Sequence, residues 1–231
     1  YIAKTSTTGN LPTSTAHWNQ FSAGSGGIWN SGLSIGTAGQ VVKVNSGASA
    51  LEFGTISSDY VLLQQTSNTS SVPTVSYDNI FTSDYDHYVA HITKYNTGGD
   101  GGSLHFRWRS SGSALTANNY YGGWNACTAT SGSSSFTGNT QWGIGYTHIG
   151  NGSNNGNYPS NCIINFHRPL ENRPSITFTC TNWDGTSQMR LLVGGSVYMN
   201  AQSADGFQYS DSSGGNMTNT GEITIYGKKN S

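Results

Sequence analysis

The chain is poor in charge. Only 9% of its 231 residues are Asp, Glu, Lys or Arg, and the net charge is −1. An average soluble domain carries roughly a quarter charged residues. A surface for polyanions needs a basic stripe. Ten basic and eleven acidic residues, scattered along the chain, supply none. Nucleic acid is therefore excluded as the main partner. Long apolar runs are also missing. None approaches the roughly 18 residues of a membrane-spanning helix, and no basic-then-apolar leader opens the sequence. The chain starts at Tyr1, inside what reads as structured sequence. The expectation is a fragment of a longer polypeptide, with any targeting or anchoring part upstream.

Cysteine is equally sparse. Cys127, Cys162 and Cys180 make an odd count without metal-ligand spacing, which argues against a disulfide framework. The sequence reading is buried free thiols serving as small core residues. Cys180 shares a strand face with Ile176 and Phe178 in an alternating run.

Small and amide-bearing residues are in excess. Gly, Ser, Thr and Asn account for 113 of the 231 residues. They disfavour helix interiors, through backbone entropy or competition for backbone hydrogen bonds. Aromatics, at 12%, suffice to build a core and argue against disorder. Period-two runs dominate. In Ser103–Arg109, Leu104, Phe106 and Trp108 face one way, and His105, Arg107 and Arg109 the other. In Ser175–Thr181, Ile176, Phe178 and Cys180 face inward. Met189, Leu191 and Val193 share a face, followed by Val197 and Met199, Phe207 and Tyr209, then Ile223 and Ile225. Further strands are predicted at Tyr60–Gln64, Tyr85–Tyr95, Gln141–Ile149 and Cys162–Arg168. Gly194-Gly195 and Asn182–Gly185 read as hairpin connections. About ten strands with turn signals between them predict an all-β fold, an antiparallel β-sandwich of jelly-roll-like type.

Three zones are predicted. Residues 1–27 are turn-rich and too short for a domain. Residues 28–56 hold two short apolar pieces, Val41–Val44 and Leu51–Phe53, split by Asn45-Ser46-Gly47. A short hairpin is marginal in water unless something packs on it. Residues 57–231 form the strand series. Its Gly/Asn-rich connections Asn96–Gly102, Gly150–Asn161 and Ser210–Gly221 are turns by composition, and loops this long are also where binding surfaces sit.

Candidate chemistry is thin. Glycan hydrolysis usually needs two carboxylates across a cleft, and the one close pair, Asp84 and Asp86, lies at a turn where carboxylates cap backbone N–H groups. His87 and His91 are four apart, about 13 Å along a strand, too far to share a metal. A metal site within one chain is not expected, and no cofactor is implied. The aromatics are more suggestive. Tyr120, Tyr121 and Trp124 lie in a glycine-broken stretch, and Tyr158 lies beside Asn154 and Asn155 in an Asn-rich one. Rings can stack on the C–H face of a sugar while amides both donate to and accept from its hydroxyls. Rim packing is the alternative for each ring. Tyr120, Tyr121, Trp124, Asn154, Asn155 and Tyr158 are the candidate ligand-binding set.

The second zone carries a resemblance. Gly36–Asn45, Gly47-Ala48 and Leu51–Gly54 (GTAGQVVKVN, GA, LEFG) resemble a spacer found in tail-fibre proteins of marine T7-like bacteriophages, such as those infecting cyanobacteria. Phe81–Asp86 and Gly221–Gly227 resemble the start and closing strand of the head domain that follows this spacer. Residues 1–27 are similar to the back half of a small carbohydrate-binding-like module seen upstream in such fibres. The resemblance implies a parallel homotrimer in the virion tail, with Val42, Val44, Leu51 and Phe53 at the trimer seam. It also implies a non-enzymatic head that binds a host surface glycan or outer-membrane component. Other tail proteins would attach through the part upstream. The competing expectations are a polysaccharide-degrading tail spike and a purely structural fibre or decoration protein.

Overall fold

The structure is a computed structural model. It describes residues 2–4, 6, 8–9, 18–19, 36–55, 58–67, 71–98, 102–130, 133–151, 160–183, 189–212, 214–217 and 219–229. The chain divides into two compact units, Tyr1–Ser58 and Asp59–Ser231. The first holds β1 (Ile2–Ala3), β2 (Trp18–Asn19), β3 (Gln40–Val44) and β4 (Leu51–Thr55). The second holds β5 (Tyr60–Thr66), β6 (Thr74–Tyr77), β7 (Tyr85–Asn96), β8 (Ser103–Ser110), β9 (Ser113–Ala114), β10 (Tyr120–Thr130) and β11 (Ser133–Ile144). It continues with β12 (Thr147–Asn151), β13 (Ser160–His167), β14 (Ser175–Trp183), β15 (Met189–Tyr198), β16 (Gly206–Asp211) and β17 (Asn219–Lys229). Among the described residues every regular element is a strand, and none forms a helix long and apolar enough to cross a membrane.

In the first unit, β3 and β4 form an antiparallel hairpin. Its turn is tied by the Asn45 side chain, whose Oδ1 accepts the Ser49 N–H at 2.9 Å. Val42 pairs with Phe53 and Val44 with Leu51. Directly opposed residues share a face, so these four side chains line one side of the hairpin. Lys43 and Glu52 form an ion pair at 3.3 Å on the other side. Val42 and Val44 are 45% and 59% exposed, and Leu51 and Phe53 are half-buried.

The second unit is an antiparallel β-sandwich. One sheet has eight strands in the order β11-β10-β15-β14-β13-β7-β17-β5. The other runs β12-β8-β16-β6, with β9 paired to β8. Leu104, Phe106 and Trp108 point inward, while His105, Arg107 and Arg109 stay on the outer side, as the alternation predicts. Phe106, Trp108 and Phe207 of the smaller sheet meet Phe166 of the larger one and Phe81, with ring centres 4.8–6.1 Å apart. This aromatic layer is the centre of the core, and tilted and edge-on ring contacts are its favourable geometry.

Four sequence expectations are corrected. Gly194 and Gly195 are not a hairpin turn but lie inside β15. A side chain at Gly194 would sit 2.4 Å from the Gly123 carbonyl and 2.6 Å from the Phe178 ring. The glycine is there because backbone and ring approach closely. Tyr120–Thr130 is a continuous strand, not a stretch broken by its glycines. Gln141–Ile149 is two strands in different sheets, separated by Gly145-Tyr146. Finally, Cys162 and Cys180 are not free thiols. They are directly opposed on β13 and β14, with Cα atoms 4.1 Å apart, and form a buried disulfide. Cys127 is free and half-buried. An odd count hides a single cross-strand bridge, because pairing depends on register and not on sequence spacing.

Candidate functional site

The outer face of β10, β11 and β15 carries a shallow trough. Two glycines are in register there, with a third one row away: Gly123 pairs with Thr140 and Gly195, and Asn125 pairs with Gly138 and Val193. Missing side chains at Gly123 and Gly195 leave bare backbone between a row containing Tyr121 and Val197 and a row containing Asn125, Gly138 and Val193. Two adjoining depressions result. One is lined by Gly123, Trp124, Asn125, Gly138, Thr140, Val193 and Gly194, and the other by Tyr121, Gly122, Thr140, Gln141 and Met199. From Tyr121 to Asn125 the trough runs about 13 Å along the strand. The Asn125 amide oxygen leans toward Gly138, close to where a Cβ would stand. The Tyr121 ring reaches over Gly143, a glycine with φ +61°. Val193 and Met199 add exposed apolar surface. The trough therefore offers a ring, an amide, a hydroxyl and aliphatic patches on an open, fixed floor. Such a combination suits the mixed C–H and hydroxyl surface of a saccharide.

Of the predicted ligand-binding set, Tyr120, Tyr121 and Trp124 are described, and they do not share one face of the sheet. Tyr120 is a core residue, fully buried. Its hydroxyl donates to the Leu115 carbonyl and accepts from the Trp108 N–H, both at 2.9 Å. Burial raises its pKa well above the usual phenol value, against the lowering pull of the Trp108 N–H and the Arg107 charge. It cannot stack on a ligand. Trp124 pairs with Gly194 on the inner side, packs against the core and meets His148 edge-on at 5.4 Å. Tyr121 projects its ring along the outer trough, and Trp124 borders the adjoining depression from the inner side. Asn154, Asn155 and Tyr158 lie outside the described residues. The strand ends that flank them, Asn151 and Ser160, are at the opposite end of the sandwich from Tyr121. Tyr121 is on the row of His167, and Ser160 is seven residues away along β13, about 23 Å.

That opposite end has a built floor. Asn96, Thr97, Ser160, Asp211 and Thr220 are buried there. Asp211 Oδ2 accepts the Gly98 N–H at 2.7 Å. A Cβ at Gly102 would lie 2.8 Å from that of Thr97, so the glycine lets the chain close over this carboxylate. Ser103 donates its N–H to Ser212 Oγ at 3.0 Å and accepts the Ser212 N–H at 2.8 Å. The chain enters the second unit at the other end, where the Lys229 N–H bonds the Asp59 carbonyl at 2.8 Å. Entry and final strand thus share one end, and the ends flanking the Gly/Asn-rich connections share the other.

A further cluster escaped the sequence reading. Tyr146 stacks on His105 with ring centres 3.6 Å apart, and the Arg107 guanidinium sits 5.8 Å from the Tyr146 ring centre. Arg107 Nε also donates to the Gly145 carbonyl at 2.7 Å. His148 opposes His105 on the neighbouring strand. Burial, then the nearby His148 and Arg107, push the His105 pKa down to about 4, against the opposing pull of Asp211. The ring is neutral at neutral pH. His105 and Arg107 were legible as one outward strand face, but nothing local in the sequence showed that Tyr146 would lie across them.

The close acid pair has a structural role in its turn: Thr82 Oγ1 lies 3.3 Å from Asp84 Oδ2 and 3.4 Å from the Asp84 N, and the Asp86 carbonyl accepts the Arg168 N–H. Among the described residues no group of three or more His, Cys, Asp or Glu is placed to hold a metal ion. Comparison with protein-family models, with curated proteins and with solved structures finds no match to this chain.

Proposed function

We propose that this chain is the distal part of a viral tail fibre, a non-enzymatic module that holds a host cell-surface glycan during adsorption. The observation that carries the proposal is the glycine-floored trough beside Tyr121, Asn125 and Thr140. A fixed, shallow, uncharged groove with one ring and flanking amides suits a neutral or mildly charged saccharide. Affinity at one such site is weak, and several linked copies raise it through effective concentration. The assembly half of the proposal rests on the β3–β4 hairpin. Val42, Val44, Leu51 and Phe53 share one face there, with the two valines exposed. A second and third copy of the chain would cover that face in a homotrimer. The buried Cys162–Cys180 bridge suits a particle that works outside a reducing cytosol.

The test is adsorption. Fluorescently labelled full chain, and its Tyr121→Ala and Asn125→Ala variants, are incubated with host cells or purified surface polysaccharide. Labelling by wild type, weakened in both variants at unchanged melting temperature, is expected. Loss of a stacked ring should reduce binding by on the order of 1–3 kcal/mol per site, on the scale known for aromatic stacking on bases. Folded variants that label as well as wild type would move the site away from the trough. Steady release of reducing ends or unsaturated sugars would replace the binding module with a depolymerase.

A further inference from the structure

The strand register brings together two histidines that lie 80 positions apart in sequence. His87 on β7 is directly opposite His167 on β13, and both side chains are on the outer face of the eight-stranded sheet. Their ring centres are 5.6 Å apart and their planes cross at 75°. His87 is exposed and His167 half-buried. We propose that His87 and His167 form a two-imidazole site for a borderline divalent cation of the zinc, nickel or copper class.

The spacing carries the argument. A zinc–imidazole bond is about 2.0–2.1 Å, which puts each ring centre about 3.2 Å from the metal; two rings at a tetrahedral angle then have centres about 5.2 Å apart. The observed separation is within a few tenths of an ångström of that value, so small rotations of two surface side chains close the chelate. Imidazole pairs suit zinc, copper and nickel, whereas calcium and magnesium prefer oxygen. The remaining coordination positions face solvent and are open to water, a ligand or a second copy of the chain.

The surroundings favour the ligating form. His167 Nε2 lies 3.2 Å from Thr177 Oγ1. With Nε2 protonated and donating to that hydroxyl, Nδ1 keeps the lone pair a metal needs. A hydrogen bond to the non-ligating nitrogen is the usual device for fixing a metal-binding tautomer. Burial, then the neighbouring His87, lower the pKa of His167. Lys228 opposes a cation here, while Arg168, next to His167, is paired with Glu171 at 3.3 Å. Lys228 pairs with His87 across β17, and its long exposed side chain can swing aside. His91, four residues along β7, is opposite Ile163 and serves as an internal control. This site does not depend on the glycan reading.

The experiment is calorimetric titration of the full chain with zinc, nickel and copper chlorides at neutral pH. Saturable binding of at least one cation, one per chain, is expected. His87→Ala and His167→Ala should each weaken it more than about tenfold, while His91→Ala should not. Absence of saturable binding overturns the proposal, and so does binding that survives either substitution unchanged. Both side chains reach the surface, so metal-free melting should match wild type. Should a variant misfold, paramagnetic broadening by copper or nickel in the unaltered protein gives the same answer. The His87 and His167 ring signals must broaden first, and selective broadening of other histidines refutes the site.

Discussion

Replacing Gly194 by alanine separates a strand from a turn. In β15, the Cβ added at Gly194 would meet the Gly123 carbonyl at 2.4 Å, the Phe178 ring at 2.6 Å and the Trp124 Cβ at 2.7 Å. One obstacle is backbone of a paired strand and another is a core ring, so neither can retreat cheaply. Overpacking of this kind costs about 1–3 kcal/mol, and the upper part of that range applies here. Gly195 points the other way. Its added Cβ would lie 3.0 Å from the Ile176 carbonyl and 3.6 Å from Thr177 Cγ2, a tight but yielding environment. Alanine also restricts the unfolded chain, which returns about 0.4–1 kcal/mol. Gly195→Ala should therefore change stability by less than about 1 kcal/mol. Urea unfolding followed by tryptophan fluorescence reads both variants against wild type. The expected result is a large downward shift in midpoint for Gly194→Ala and a small shift of either sign for Gly195→Ala. Neither residue is among the positive-φ glycines. If the pair were a tight hairpin turn, both alanines would be strained alike. Equal losses would therefore refute the placement of this pair inside a strand.

Two further predictions concern the core and its pH response. Thiol titration of the denatured, unreduced chain should find one reactive cysteine, Cys127, and finding three would refute the bridge. Closing a segment of 18 residues' separation restricts the unfolded chain by about 3 kcal/mol, so Cys162→Ala with Cys180→Ala should lower stability by about that amount. For His105, the folded pKa of about 4 lies below the ordinary imidazole value of 6.5. Its contribution is thus present above the unfolded value and is lost as pH falls toward 4. With screening of a partly exposed ring, the loss is on the order of 1–2 kcal/mol. His105→Gln should flatten the stability profile between those pH values, and an unchanged slope would show that the ring does not titrate as described.

The clean alternations were legible because each strand there buries one face. Ser103–Ser110 and Ser175–Trp183 show the expected inward sets. Where both faces of a strand are sparse, the signal fails. In β10, Gly122 and Gly123 interrupt the apolar pattern, and the sequence reads as a glycine-broken stretch. Its glycines answer to neighbours from other strands, such as the Gly195 carbonyl 2.2 Å from where a Gly122 Cβ would be. Met189, Leu191 and Val193 were correctly placed on one face, yet that face is the outer one, with exposures of 56, 42 and 50%. Which side of a strand meets the core is decided by its partners, here the outward threonines of β14. The same limit governs the site. Tyr121 and Tyr120 are adjacent and alike in composition, and only their place in the alternation separates an outward ring from a core ring. His87 and His167 share no local pattern at all.

The end at which the chain enters the sandwich also sets how the head bears load. Asp59 leads directly into β5, an outermost strand of the larger sheet, held to β17 by antiparallel pairing from Lys228–Tyr60 to Ile223–Thr66. A pull on Asp59 along the strand axis, with the far side of the sheet held, loads all of these backbone hydrogen bonds at once in shear. They do not open one after another like a zipper. An outermost strand held only on one side is the natural weak point of a sheet under tension, and shear is the loading direction in which its bonds act together.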